Sequence, residues 1–326
     1  MKKIYGNDYI LSTLANMKQR NRTAHSVLFY GEKGTGKKLI AKFYTQLLMC
    51  ENSTDGMPCG VCSACKSTES GINPDVVYVQ SSGKLGGYRA ETARDICSDV
   101  YIKPNNNSGK KVYIFKDCQK MSPVTQNILL KITEEPPDYA YFIFTSESKY
   151  DLLPTIISRC TCFGTGNCTE NEAFMSLSEN GYGKGDIQSA VSCFHGNIGM
   201  CEEYIENEDV RKQVYLTKSI ADSIIRKDEY NLNAVLFSAG KERNEVRTVL
   251  SMLDRIIRDA VVLGENKSLN GIGCFREGAE KLSYLLTINQ AIRLHKSVEK
   301  AWKAVECNVS IPLALTALSA EIIEII

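Results

Sequence analysis

A glycine-rich segment between an apolar run and a helix pattern carries the residue types that bind phosphate. Gly31, Gly34, Gly36 and Lys37 lie in the spacing G-x-x-x-x-G-K, in which backbone N–H groups face an anion and the lysine reaches its terminal phosphates. The next residue of this motif is normally a Ser or Thr whose hydroxyl holds Mg²⁺. Here it is Lys38, whose ammonium group cannot ligate a metal ion. The segment therefore predicts a phosphate-binding loop that lacks one metal ligand.

A second apolar run, residues 111–115, is followed by Lys116, Asp117 and Cys118. In P-loop proteins such a strand ends in an Asp that helps to hold Mg²⁺, and in ATPases a Glu that polarises water commonly follows. In one register Lys116 replaces the metal-binding Asp; in the other, Asp117 is the metal ligand and Cys118 stands where a base is needed. Each register loses a catalytic group, and two lysines near the intended site would repel a divalent cation. The pattern predicts no Mg²⁺ site and weak or absent binding of ATP or ADP; the alternative is a working P-loop enzyme with an unusual sequence.

Four of the thirteen cysteines lie close together in the sequence. Cys50, Cys59, Cys62 and Cys65 have the spacing C-x8-C-x2-C-x2-C. Four thiolates form the ligand set of a closed, tetrahedral Zn²⁺ site, with no position left for water or substrate. We therefore predict a structural zinc module at residues 50–65, in which metal binding supplies folding free energy to a segment with few apolar side chains. The alternative is a pair of disulfide bonds or unmodified thiols.

The composition is that of an ordinary globular protein. Nine of the thirteen cysteines are scattered and a phosphate-binding loop implies a cytosolic supply of nucleotide, so reduced thiols are expected. Of the 326 residues, 43% are hydrophobic and 24% are charged, which is ordinary for such a protein. The formal net charge of +1 gives no overall positive field that would attract nucleic acid. The first residues lack the apolar segment of a signal peptide, and no apolar run is long enough to cross a bilayer. We predict a cytoplasmic protein with reduced thiols and no membrane contact.

The apolar segments indicate alternating strands and helices in the first half of the chain. Predicted strands cover residues 26–30, 76–80, 112–115 and 141–145, and predicted helices cover residues 8–20, 38–50, 89–101 and 123–134. This alternation indicates a parallel, doubly wound α/β sheet, with the phosphate-binding loop at the carboxyl end of the first strand. From about residue 164 the pattern is helical. We predict an α/β P-loop domain at 1–163, a small helical domain at 164–207 and an all-α domain at 208–326.

Further short motifs follow one another in a defined order. Residues 25–29 read H-S-V-L-F, residues 127–137 read N-I-L-L-K-I-T-E-E-P-P, and residues 158–160 read S-R-C. Together with the phosphate-binding loop and the four-cysteine insert, they resemble the clamp-loader subunits of bacterial DNA polymerase III. This family belongs to the AAA+ ATPases, and within it the resemblance is to the delta-prime subunit. The resemblance covers most of the chain and implies a AAA+ domain with a zinc module, a helical lid domain and an oligomerising collar domain.

The resemblance also implies roles for individual residues. Arg159, in the S-R-C motif, would be an arginine finger donated in trans to the ATP of a neighbouring motor subunit. Met200 stands where motor subunits carry a nucleotide-sensing arginine, and Thr145 lies at the position of a polar sensor, where a hydroxyl is retained. Taken with the lysines at positions 38 and 116, this implies a non-hydrolysing accessory subunit of the polymerase holoenzyme. The alternative for Arg159 is an ordinary surface salt bridge.

The implied partners are the gamma/tau motor and delta subunits of a hetero-pentameric ring, the sliding clamp indirectly, and primer-template DNA through the complex. Two other interpretations stay open. An active gamma/tau-type ATPase motor would hydrolyse ATP with Mg²⁺ on its own. A zinc-dependent nucleic-acid-binding module would bind DNA in a manner abolished by chelators and weakened steeply by salt, but the near-neutral charge and the scarcity of Lys and Arg in the insert argue against it.

Overall fold

The computed structural model describes residues 3–79, 87–240, 242–266 and 271–326. The chain divides into two compact units, with the division between Glu172 and Ala173. The predicted boundaries at 163/164 and 207/208 stay predictions.

The first unit alternates strands and helices. Its strands are β1 (Ser26–Tyr30), β2 (Val76–Val79), β3 (Lys111–Phe115), β4 (Ala140–Ser146) and β5 (Thr161–Gly164). Its helices are α1 (Asp8–Gln19), α2 (Lys37–Met49), α3 (Ser63–Ser70), α4 (Ala90–Asp99), α5 (Pro123–Glu134) and α6 (Pro154–Ile157), and α7 (Glu170–Glu179) crosses the boundary between the units. The five strands are parallel and adjoin in the order β2-β3-β4-β1-β5.

Helices cover both faces of this sheet, because successive side chains of a buried strand point in opposite directions. On one face Val27 and Phe29 of β1 belong to a core that includes Leu14 of α1 and Ile40 of α2. On the other face Leu28 belongs to a second core with residues of α4, α5 and α6, among them Ala93, Leu129 and Ile156. The predicted doubly wound parallel sheet is therefore confirmed.

Sequence patterns missed three elements of this unit. Strand β5 has only four residues, two of them exposed at the edge of the sheet, so it lacks the apolar run of a buried strand. Helix α3 has the polar sequence SACKSTES, in which only Cys65 and Thr68 are buried, so no helical period is visible. Helix α6 is a single turn. Of the predicted strand 76–80, Gln80 lies outside the described residues.

The second unit is helical. After α7 it contains α8 (Lys184–Phe194), α9 (Ile198–Glu206), α10 (Glu208–Arg226), α11 (Glu229–Phe237), α12 (Arg243–Glu265), α13 (Arg276–Leu285), α14 (Ile288–Glu306) and α15 (Ile311–Ile325). Helix α12 packs against α10, α13 and α14. Seven of its apolar residues recur at helical spacing and are buried: Val246, Val249, Leu250, Leu253, Ile256, Ile257 and Ala260. None of the helices in the described ranges has the length and apolar character needed to span a membrane.

Candidate phosphate-binding site and cysteine cluster

The glycine-rich loop, residues 31–36, joins the carboxyl end of β1 to the first turn of α2. Strand β1 lies between β4 and β5, and Tyr30 is opposite Ser146 of β4. Strand β3 is the next neighbour of β4, so residues 116–117 emerge at the same edge. This edge is where ligands bind in parallel α/β sheets.

The loop needs its glycines for two physical reasons. Gly31, Gly34 and Gly36 have φ angles of 152°, 88° and 85°, a region that side chains disfavour. A Cβ atom on Gly31 would also lie 2.4 Å from both the carbonyl oxygen and the hydroxyl of Thr165. The Thr165 hydroxyl is hydrogen-bonded at 2.7 Å to that of Thr35. Thr165, which the sequence did not single out, thus supports the loop from the segment that follows β5.

Substituting Gly31 by Ala is expected to lower the unfolding free energy of the first unit by about 3 kcal/mol, since it combines backbone strain with overpacking. The measurement is denaturant unfolding of the full chain. Gly166→Ala is the matched control, because a Cβ atom there meets nothing within 4 Å. Equal stability of the two variants would contradict the close approach of Thr165.

Lys37 is engaged within its own loop. Its Nζ atom donates hydrogen bonds to the carbonyl oxygens of Gly31 at 2.5 Å and Glu32 at 2.7 Å. The residue is buried, and this burial lowers the pKa of its ammonium group. To contact a phosphate, Lys37 must leave these carbonyl oxygens.

The geometry separates the roles of Lys116 and Asp117. The Asp117 carboxylate faces the start of α2, with its Oδ2 atom 3.9 Å from Nζ of Lys38. The Lys116 ammonium instead lies 4.7 Å from the centre of the Tyr78 ring. Asp117, the metal ligand in one of the two registers, is thus paired with an ammonium at the position of the missing hydroxyl.

These residues do not fit Mg²⁺. The ion requires nearly octahedral oxygen ligands at about 2.0–2.1 Å, whereas Lys38 supplies a positive charge in place of an oxygen. Thr145 also has its hydroxyl in use, since it accepts from the backbone N–H of Asp117 at 3.2 Å and donates to the carbonyl oxygen of Phe115 at 3.4 Å. The hydroxyl predicted at the sensor position therefore connects β3 to β4.

The fold brings the four predicted cysteines together. The sulfur atoms of Cys50, Cys59, Cys62 and Cys65 all lie within 4.8 Å of one another, and four sulfurs bound to one Zn²⁺ at about 2.3 Å would be roughly 3.8 Å apart. Backbone N–H groups donate to three of these sulfurs, at 3.3 Å to Cys50 and at 3.4 Å to Cys59 and Cys62. The cluster can hold a metal ion, and its four soft ligands suit zinc.

The thiols of this cluster differ in the direction of their pKa shifts. Hydrogen bonds from the backbone of Val61 and Cys62 lower the pKa of the Cys59 thiol to about 6, so a thiolate forms readily there. Burial raises the pKa values of Cys50 and Cys65. A bound cation would favour deprotonation of both.

Arg159 lies just after α6. Its guanidinium forms an ion pair with Glu134 at the end of α5 and donates to the carbonyl oxygen of Thr155 at 2.7 Å and to the Ser158 hydroxyl at 3.3 Å. A third of its side chain is exposed. The surface salt bridge that the sequence left as an alternative is therefore present within the chain. Met200 lies on α9, in the second unit.

A phosphate-binding loop on an inner strand of a parallel sheet, with helices on both faces, defines the fold of a P-loop protein. Residues 6–166 match the family model described as DNA polymerase III, delta subunit. This segment, just under half of the 326 residues, is similar to the AAA+ clamp-loader subunits of bacterial DNA polymerase III.

Curated relatives match about half of the chain. Over 160 residues it is 33% identical to DNA polymerase III subunit tau/gamma of Haemophilus influenzae, covering 49% of this chain and 23% of that protein. It is 34% identical over 160 residues to subunit tau of Bacillus subtilis, covering 49% and 28%. The chain thus spans about a quarter of the length of these relatives. A solved gamma subunit-related protein from Thermotoga maritima covers 95% of this chain and 98% of its own at 16% identity, with a TM-score of 0.45.

Proposed function

We propose that this chain is a non-hydrolysing, delta-prime-like subunit of a DNA polymerase III clamp loader and supplies Arg159 in trans to a neighbouring ATPase subunit. Its partners would be motor and delta subunits of a ring that loads the sliding clamp. The helices from residue 208 onward would form its oligomerising collar.

The observation that carries this proposal is the pairing of Lys38 with Asp117. The Asp117 carboxylate, which faces the head of α2, has an ammonium group 3.9 Å away, and a second lysine, Lys116, emerges beside it from β3. Repulsion by these cations opposes the binding of Mg²⁺. In P-loop NTPases this ion bridges phosphate oxygens and neutralises the charge that develops on them. Without that ion the chain can hold a place in the ring but cannot hydrolyse ATP.

The environment of Arg159 is compatible with action in trans. Its ion pair with Glu134 lies at the surface, where the side chains are 33% and 48% exposed, and such pairs contribute only about 0–1 kcal/mol. A triphosphate on a neighbouring subunit would be a far more highly charged acceptor than one carboxylate. The planar, forked guanidinium of Arg159 suits phosphate recognition. The pair would keep the side chain ordered until a neighbour docks.

We propose that the four-cysteine cluster binds structural Zn²⁺. Cys50 ends α2, and Cys62 and Cys65 begin α3, so one ion would fix the insert to the helix of the phosphate-binding loop. The ion would have no catalytic part, since four thiolates leave no position for substrate.

A second candidate is an active ATPase motor of the gamma/tau type. It is favoured by the relatives named tau and gamma, which are 33% and 34% identical over 160 residues. In this case the glycines and Lys37 would support Mg²⁺-dependent turnover despite Lys38.

An ATPase assay on the purified chain separates the candidates. With ATP and Mg²⁺, we expect no phosphate release above that of the Lys37→Ala variant, which serves as a control for contaminating ATPases. The double variant Lys38→Thr, Lys116→Asp is expected to gain Mg²⁺-dependent nucleotide binding, because it restores the hydroxyl ligand, releases Asp117 from its ion pair and removes the second cation. Turnover by the unmodified chain that is lost in Lys37→Ala would instead establish the motor, and the double substitution would then change little.

A further inference from the structure

A cleft of about 430 Å³ lies beside the phosphate-binding loop. Its walls come from α2, the end of α3, β2 and the residues that end β3 and β4. Its charged lining residues are Lys38, Lys42, Lys116 and Glu69, so three lysines and one glutamate give it a formal charge of +2. Its volume lies within the range of about 300–1,000 Å³ that is typical of small-molecule sites.

One of the three cations is already compensated inside the cleft. Lys42 pairs with the Glu69 carboxylate at 3.1 Å, and Gln46 donates to the same carboxylate at 2.7 Å. The remaining charge belongs to Lys38 and Lys116. Lys38 forms a loose ion pair with Asp117, which is 3.9 Å away and does not line the cleft, and its side chain is 66% exposed. Lys116 lies over the Tyr78 ring.

The two lysines also repel each other. Burial, followed by the positive charge of Lys38, lowers the pKa of Lys116. An anion between them would remove this repulsion and replace water around both ammonium groups. A chain of phosphates offers several oxygen acceptors, so one such anion can accept from two separate cations.

We propose that this cleft and the adjoining loop bind a metal-free polyphosphate anion, with the ammonium groups of Lys38 and Lys116 supplying the positive charge that Mg²⁺ supplies in a working P-loop site. The ligand class is a nucleoside triphosphate or inorganic polyphosphate, recognised through its phosphate chain. This inference rests on the proposed function, because it takes the loss of the Mg²⁺ site as its starting point.

At this site Mg²⁺ would weaken the binding of the phosphate chain, which is the reverse of its usual effect. In an ordinary P-loop NTPase the ion bridges phosphate oxygens and neutralises the charge that develops on them. Here Mg²⁺ competes with the lysines for the same oxygens and lowers the charge of the anion, so it weakens the attraction.

The test is calorimetric titration of the full chain with ATP and, separately, with sodium tripolyphosphate, first in EDTA and then with excess Mg²⁺. We expect both anions to bind in EDTA, and Mg²⁺ to raise each Kd about tenfold or more, equivalent to the loss of one charge-assisted hydrogen bond. Lys38→Thr and Lys116→Ala are each expected to weaken metal-free binding by about tenfold on the same basis. Lys212→Ala, an exposed lysine on α10 of the second unit, removes the same charge and should leave both Kd values unchanged.

Three results would overturn the inference: no binding of either anion at millimolar concentration, binding that requires Mg²⁺, or binding of ATP without any binding of tripolyphosphate. The first and third leave the trans role of Arg159 standing. Binding that requires Mg²⁺ and leads to hydrolysis would overturn both. Circular dichroism melting of each variant confirms that a lost affinity does not come from unfolding.

Discussion

Substituting Arg159 by Ala is expected to lower ATP hydrolysis at the motor site that it faces by about a thousandfold, the lower end of the range for an arginine finger. The chain itself should stay folded and assembled, because Arg159 makes its contacts at the surface, to Glu134, Thr155 and Ser158. The loss arises because no other group then spreads positive charge onto the transferring phosphoryl group.

This rate is best measured in a reconstituted loader whose other motor sites are inactivated, so that only the site facing this chain turns over. Arg94→Ala, at an exposed position on α4 of the same unit, is the charge-matched control and should leave the rate unchanged. Arg159→Lys is expected to recover only part of it, since an ammonium keeps the charge but loses the planar fork. Unchanged turnover in Arg159→Ala would refute the trans role.

Glu134→Gln distinguishes the trans role from an intramolecular one. If Arg159 acts only by holding α5 and α6 together through Glu134, this variant should reproduce the loss seen in Arg159→Ala. If Arg159 acts on a neighbour's phosphate, the rate should change by no more than a few fold, since an exposed ion pair contributes only about 0–1 kcal/mol.

Removing a ligand from the cysteine cluster is expected to have the second large effect. The unmodified chain should contain one zinc per molecule, and Cys65→Ser should contain almost none and unfold at a markedly lower temperature. Cys65 is fully buried at the start of α3, and structural zinc in small zinc-binding peptides contributes about 10–16 kcal/mol of apparent binding free energy. Little apolar packing remains to replace it, because Cys65 and Thr68 are the buried residues of α3.

Elemental analysis and thermal unfolding, with and without a chelator, measure these effects. Cys307→Ser is the matched control, since Cys307 is exposed and lies in the second unit. Less than half an equivalent of zinc in the unmodified chain, after refolding with zinc supplied, would contradict the four-thiolate site. Absorption by thiolate-bound Co²⁺ provides an independent test of the ligand set. Alkylation without reductant that finds the four thiols blocked would instead favour disulfide bonds.

Local sequence was sufficient wherever the determining interactions lie within a few residues. The bounds of α5 were predicted correctly at both ends, because Ser122 accepts from the backbone N–H of Thr125 and Pro123 occupies the first turn. The buried face of α12 agrees with the helical spacing of its apolar residues. The spacing of the four cysteines likewise indicated a cluster before the fold brought their sulfur atoms together.

Tertiary structure decided the details at the edge of the sheet. Which of Lys116 and Asp117 faces α2 depends on how the chain turns after β3, where Asp117 adopts a φ of 56°. Lys37 bonds to its own loop, and Arg159 pairs with a residue 25 positions away. No pattern in the sequence encodes those partners.

The sequence by itself determined that this protein has a phosphate-binding loop with a lysine in place of the metal-binding hydroxyl, four clustered thiols and a long helical C-terminal region. These features depend on residue type and short spacing, which act locally. Only the tertiary structure decided that Lys38 is loosely paired with Asp117, that Thr165 supports the loop and that Lys38 and Lys116 share a cleft. Such contacts join residues distant in the chain, and the parallel sheet brings them together by collecting the carboxyl ends of separate strands at one edge.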